Sequence, residues 1–337
     1  FSYNCFADDK RILEMRGGCA GFFSDDDLAQ GQGIVITEKE VAERAAILKR
    51  TFQPLLTSSR SAFDEQDLVR LSNGDVSGCF GPAYAQGGRN PSLRFPATEM
   101  VMLDRVTAVD PTGGPWGLGW LRAEKDLAPD DWYFPCHFKG DEVLAGSLMA
   151  EGCVQLLQLY MLYLGLQTNT EDARFEPMAG EAQVVRCRGQ VTPSDTQYVY
   201  EVEVVEIGLS PRPYVKANVN VILDGKIVVD FRNLSLQLVE KNPGQRLEPI
   251  GLVQTQDNTA PPSNGFESHP PLDVVEASLR LNGQGMPEEG LIEPRFTEAH
   301  IAEFATGSLS RCFGPDFDVY EGRRTSRTPN GDLQLMS

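Results

Sequence analysis

From residue 146 to 166 the chain is apolar at almost every position. Leu148, Met149, Cys153, Leu156, Leu159, Tyr160 and Leu164 leave no polar face. A helix that is apolar all round is a buried one, so this stretch predicts one long central helix. Glu151, Gln155 and Gln158 interrupt it at spacings of four and three, which set them on a single stripe. Around it the pattern shifts to short β-prone runs at 100–109, 117–125, 181–191, 197–205, 214–223 and 226–239. Pro111-Thr112-Gly113-Gly114, Pro193-Ser194-Asp195 and Asp224-Gly225 supply turns. One long helix with several antiparallel strands predicts an α+β unit, a curved sheet wrapped around the helix.

The chain repeats itself. Residues 63–82 and 296–315 share 8 of 20 positions at an offset of 233, including Cys-Phe-Gly-Pro at 79–82 and 312–315. The register still holds at Pro96 and Pro329. That spacing is too long for a solenoid and predicts domain duplication. A weaker echo links residues 8–16 with 224–232, each reading as a tight turn followed by a strand. Five stretches are expected: 1–24 finishing one unit, 25–90 as linker and a helical segment, 91–241 as a complete unit, 242–295 as a Pro/Gly-rich linker, and 296–337 starting another. Thr37-Glu38-Lys39-Glu40 reads as a capping box opening the helix of the first linker. The chain begins inside an expected strand and ends soon after an apolar run begins, so both ends are expected to be parts of something longer.

Composition narrows the class. Of 337 residues, 41% are hydrophobic and 23% charged, which is globular composition. The formal net charge of −18 argues against a general nucleic-acid binder. No apolar run reaches the length of a membrane span, and the first residues lack the pattern of a signal peptide. Seven scattered cysteines without a CxxC pair point to a reducing, cytoplasmic setting.

Few residues carry candidate chemistry. Glu151 lies on a helix expected to be buried, where a carboxylate is costly and its pKa is expected to rise. His137 stands in the aromatic segment Trp132-Tyr133-Phe134-Pro135-Cys136-His137-Phe138, while the other histidines, His269 and His300, lie outside the complete unit. Taken alone, a histidine among aromatics is more often a hydrogen-bonded core residue than a catalyst. No metal-ligand spacing surrounds Cys136 and His137, and phosphate-loop and GxSxG patterns are absent.

The segment from Trp132 to Leu148 nevertheless resembles the active-site segment of the β-hydroxyacyl-acyl-carrier-protein dehydratases of the hydroxydecanoyl type. The shared features are the aromatic run, Cys136-His137-Phe138, Gly140-Asp141, Val143, Gly146 at the helix start, and an acid fourteen residues after the histidine, here Glu151. The resemblance extends over 91–241, through Phe95-Pro96 and Arg188-Gly189-Gln190-Val191. Tandem copies of such a module resemble the dehydratase region of polyunsaturated fatty acid synthases. Ala145 stands where the family has proline, which implies a looser loop, and Glu151 stands where it usually has aspartate.

The resemblance implies a hot-dog fold in a tandem or double arrangement, with a site shared between paired hot dogs. It implies His137 as general base, Glu151 as a neutral acid and the Gly146 N–H as carbonyl donor, with Phe134, Cys136, Phe138, Val143 and Gln155 lining the substrate site. The substrate implied is a 3-hydroxyacyl thioester on the phosphopantetheine of an acyl carrier protein, with no cofactor or metal of the enzyme's own. The implied partners are that carrier, within one synthase, and a neighbouring hot dog in cis or as a homodimer, with no nucleic acid and no membrane. Double-bond isomerisation stays open, as do a non-catalytic hot-dog partner and a hot-dog thioesterase. Arg186 and Arg188 are candidates for a basic patch facing an acidic carrier.

Overall fold

A computed structural model describes residues 1–19, 30–137 and 142–241, and beyond them 297, 299–300, 303 and 308–320. Its centre is the expected long helix, α4 (Gly146–Tyr163), preceded in the chain by α1 (Glu38–Ala45), α2 (Glu65–Ser72) and α3 (Val76–Phe80). Met149, Cys153, Leu156, Leu159 and Tyr160 of α4 are buried. An antiparallel sheet wraps it, in the order β3 (Arg105–Asp110), β4 (Trp120–Asp126), β7 (Gln197–Gly208), β8 (Tyr214–Leu223), β9 (Lys226–Glu240) and β5 (Ala173–Glu176). The short β6 (Val184–Cys187) also pairs with β9. Register shifts at Val106/Ala108, Val204/Glu206, Ala217/Val219 and Val221/Ile222 are bulges, which add twist and let the sheet curl around the helix. This is the hot-dog fold. A separate hairpin, β1 (Tyr3–Ala7) with β2 (Lys10–Met15), stands at the N-terminal side.

Tyrosines fasten the helix to its surroundings. The Tyr160 hydroxyl donates to Leu118 O at 2.6 Å, and Tyr84 donates to Tyr163 O at 2.7 Å. A side chain at Gly119 (φ 143°) would collide with the Tyr160 hydroxyl, so glycine is required there. Burial pushes the Tyr160 and Tyr84 phenols well above their ordinary range.

Two expected boundaries change. Residues 100–104 are not strand, because their backbone is taken by Gln155 of α4, which accepts from Met102 N–H at 2.8 Å and donates to Met100 O at 2.8 Å. The stretch read as linker and helix, 25–90, divides in two. Its first part carries α1 with the expected capping box between Thr37 and Glu40. Its second part belongs to the core: Phe63 pairs with Val106, and Leu68, Leu71, Phe80 and Tyr84 are buried in one cluster with α4. The compact unit therefore reaches back to about Phe52, which packs against that cluster.

The first turn of α2 carries Asp67, which is fully buried and takes hydrogen bonds from Arg60 and Arg70. Burial is the largest single influence and opposes its charge, but the hydrogen bonds from Arg60, from the Asp64 N–H and from Arg70, together with the Arg60 charge, outweigh it and hold its carboxyl below the ordinary range. Asp64 and Asp67 cap α2 reciprocally. At the offset of 233, Thr297 and His300 do the same, through His300 N–H to Thr297 Oγ1 at 3.3 Å and Thr297 N–H to His300 Nδ1 at 3.0 Å. Helix α5 (Leu309–Phe313) repeats α3, with Ser308 capping where Asp75 does and Gly314 (φ 106°) where Gly81 (φ 116°) stands. The sequence repeat is thus a repeat of local structure. The stretch 242–295 lies outside the described residues.

Candidate active site

The aromatic segment is folded tightly before it reaches His137. Tyr133 and Phe134 are buried, with ring centres 4.9 Å apart in an edge-to-face contact. Trp132 Nε1 donates to Glu99 O at 3.1 Å, and the Cys136 thiol donates to Trp132 O at 3.1 Å. The turn closes on His137, whose N–H donates to Phe134 O at 3.3 Å. Phe138, expected beside Phe134 and Cys136, lies outside the described residues.

His137 and Val143 are joined twice. Val143 N–H donates to His137 O at 2.9 Å, and His137 Nδ1 lies 3.2 Å from Val143 O. A carbonyl oxygen only accepts, so this contact assigns the imidazole proton to Nδ1. In the neutral ring the lone pair then sits on Nε2, the form that accepts a proton.

The chain enters α4 directly afterwards. Leu144 N–H donates to Val191 O at 2.8 Å, which fixes the entry against the segment between β6 and β7. Ala145 caps the helix with φ −61° and no side-chain hydrogen bond. That angle is the one proline would impose, so replacing the family's proline has not altered the backbone at this point. With no side chain capping it, the first turn offers its N–H groups and the positive end of the helix dipole to whatever lies in front. A methyl group added at Gly146 would meet only Cys187 Sγ of β6, at 3.9 Å. The fold therefore leaves open space at Gly146.

Glu151 lies five residues on, half-buried rather than sealed as the sequence suggests. Its Oε1 accepts from Gln155 Nε2 at 3.0 Å. Gln155 is fully buried, and its other contacts are to the backbone of Met100 and Met102. The amide thus anchors the carboxyl of Glu151 to the segment beside the helix. A cleft of about 200 Å³ lies along that segment, lined by Glu99, Met102, Asp104, Lys125 and Trp132, among others, but by neither His137 nor Glu151.

Sequence reading places Gln155 against substrate, whereas the structure shows it holding Glu151. It gives no hint of the Val143 carbonyl or of Cys187, because a backbone acceptor leaves no side-chain signature and Cys187 reaches Gly146 only through the fold. Arg186 is not a free basic group. It is bonded to the fully buried Asp230 at 3.0 Å and lies 3.7 Å from Glu40 of α1. Arg188 is exposed, and its guanidinium donates to Cys187 O at 2.8 Å. Among the described residues, no group of three or more metal-ligating side chains is gathered, and no helix is long and apolar enough to cross a membrane.

Known proteins resemble this chain in sequence around the site. The model of the FabA-like domain matches residues 95–232, from Phe95 through the site to Arg232 in β9. Residues 95–232 are a FabA-like domain. The whole chain aligns at 31% identity with one of the subunits of the polyunsaturated fatty acid synthase from Thraustochytrium sp.. The chain spans 28% of that protein's length. Among solved structures, the dehydratase heterocomplex ApeI:P from Xenorhabdus doucetiae is 16% identical, with a TM-score of 0.33 over 43% of this chain and 86% of the other. AziG from S. sahachiroi is 14% identical, with a TM-score of 0.31 over 43% of this chain and 98% of the other. The FabA-like domain includes every described site residue named above.

Proposed function

We propose that this FabA-like domain dehydrates 3-hydroxyacyl thioesters carried on an acyl carrier protein, giving enoyl thioesters in fatty acid synthesis. The observation that carries this reading is the Nδ1 contact of His137 with Val143 O, which presents Nε2 as a base. Nε2 of neutral His137 removes the C2 proton. Glu151, in its protonated form, donates to the departing C3 hydroxyl, which leaves as water. Gln155 donates to Oε1, which leaves Oε2 as the oxygen to carry the proton in the acid form. The N–H of Gly146 donates to the thioester carbonyl and stabilises the enolate charge as it forms. This chemistry uses no cofactor of the protein's own; the phosphopantetheine arm belongs to the carrier.

The relative's name supports a place within a polyunsaturated fatty acid synthase. There the carrier is tethered to the same assembly, and effective concentrations reach the millimolar range, so a net charge of −18 does not prevent docking to an acidic carrier. Seven free cysteines fit a cytoplasmic setting. A partner hot dog completes the site. Edge strand β6 supports this, because Val184 and Val185 are exposed on it by 59% and 45%, and its Cys187 faces Gly146. Returning the proton to a different carbon would make the same base an isomerase.

Incubation with crotonyl and acetyl thioesters tests the reading. A dehydratase run in reverse gives a 3-hydroxybutyryl thioester, whereas release of free thiol would identify a thioesterase.

A further inference from the structure

The hairpins β1–β2 and β8–β9 share one geometry. At an offset of 216, Tyr3↔Met15 reappears as Val219↔Phe231, Cys5↔Leu13 as Val221↔Val229, and Ala7↔Lys10 as Leu223↔Lys226. Both ladders slip at the same place, between Cys5 and Phe6 and between Val221 and Ile222. Both turns open on an aspartate with positive φ, 50° at Asp8 and 49° at Asp224. Two residues past Met15 and past Phe231, Gly17 and Asn233 match at 63° and 61°, although β2 has ended there and β9 runs on to Glu240. Only Asn4, Asp8, Lys10 and Arg16 are identical to their counterparts in these strands and turns, so the likeness is not a trivial result of equal sequence. A shared register and bulge determine which face each side chain takes.

In β8–β9, Val219, Val221, Val229 and Phe231 are buried and face α4. On the opposite face Asp230 takes Arg186 from β6 and pairs with Arg232 at 2.8 Å. In β1–β2, Tyr3, Cys5, Leu13 and Met15 hold the first set of positions, and Glu14 pairs with Arg16 as Asp230 does with Arg232. There Tyr3 and Leu13 are each 45% exposed. Among the described residues, the ion-pair partners of Glu14, Arg11 and Arg16, come from its own hairpin.

We propose that β1–β2 is a docking surface for a second hot-dog body, separate from the one formed by residues 52–241. Its apolar face receives a long apolar helix like α4, and Glu14 receives an arginine from a short edge strand like β6. The occupant follows from the matching hairpin in this same chain, which has both partners, and from charge complementarity at Glu14. The proposal rests on the fold alone and is independent of the dehydration chemistry.

The test seats the β1–β2 sequence on a hot-dog body within the full chain. Residues 226–231 are replaced by the sequence of 10–15, through Ile227→Arg, Val228→Ile, Val229→Leu, Asp230→Glu and Phe231→Met. A second chimera replaces 219–231 by 3–15. Expected is one cooperative melting transition, within about 8 °C of the parent in the smaller swap. Arg186→Glu added to that swap lowers the transition further, and does so less when Asp230→Asn is used instead of Asp230→Glu. A control swap shifted by one residue, inserting 11–16, loses the transition because it turns the apolar face outward. Loss of cooperative melting in both chimeras, equal tolerance of the shifted control, or no coupling between positions 186 and 230 would each overturn the proposal.

Discussion

Gln155 donates to Glu151 Oε1 at 3.0 Å while its own amide is held at both ends by the backbone of Met100 and Met102. The carboxyl on which the proposed acid step depends is therefore oriented by a side chain that is completely buried. Replacing Gln155 with Leu leaves the buried Met102 N–H without a partner, at about 1–3 kcal/mol, whereas the carbonyl of exposed Met100 can turn to water. Gln155→Leu should lower unfolding free energy by about 1–3 kcal/mol in urea titrations and shift the pH–rate profile of any enzyme that remains folded. A variant with parental stability and an unchanged profile would show that the amide orients nothing.

Gly146→Ala separates the fold from the chemistry. The added methyl group meets only Cys187 Sγ at 3.9 Å, so the melting temperature should stay within a few degrees of the parent's. Turnover should fall by roughly 10²-fold, the usual effect of losing one oxyanion donor, because the methyl group keeps the thioester away from the N–H. Equal losses in stability and turnover would mean that Gly146 is structural.

Arg186 gives a prediction of the opposite kind. Its hydrogen bonds with Asp230 raise its pKa, and Asp230 is fully buried beneath it. Arg186→Ala leaves that carboxylate to Arg232 alone and should destabilise the domain by on the order of 2 kcal/mol. Binding of an acyl carrier protein, measured by titration, should be unaffected at temperatures where the variant is folded. Weakened carrier binding with unchanged stability would restore Arg186 to a docking role.

Asp126 sets a dependence on acid. Hydrogen bonds from Arg105 and then Gln197 lower its pKa from 3.8 to about 2. A depressed folded-state value contributes stability that is present above the unfolded value and is lost as pH falls through the folded one, here from about 4 down to 2. Its side chain is 53% exposed, so after screening the contribution should stay below about 1 kcal/mol. Asp126→Asn should flatten the stability curve across that window by this amount. An identical slope in parent and variant would exclude the ion pair as a source of acid sensitivity.

Much of the fold can be read from the pattern of the chain. Strand β8 falls at 214–223 as the alternation indicates, and α4 starts at Gly146 as expected. The failures have local causes. Residues 100–104 are β-prone, yet a glutamine on the helix occupies their backbone. Strand β5 is four residues long and carries Arg174 and Glu176, too short and too polar to show a period. Helices α2 and α3 are visible in the sequence only as a repeat, because α2 is capped by two aspartates rather than by the more common Ser/Thr with Glu. For the site, Glu151 stands out as a carboxylate on an apolar helix and His137 as the only histidine of the complete unit, but the roles given to them and to Gly146 come only through resemblance to a family. Their supporting contacts are with a backbone carbonyl and a buried amide, which sequence alone does not pair with them.

Hydration of a crotonyl thioester by the full chain, compared with its His137→Ala variant, tests the central claim most directly. The expected result is a 3-hydroxybutyryl thioester from the parent, and a loss of roughly 10²–10⁴-fold in a variant with the same melting temperature. Equal rates from parent and variant would contradict the account, because proton removal would then not depend on the ring held by Val143.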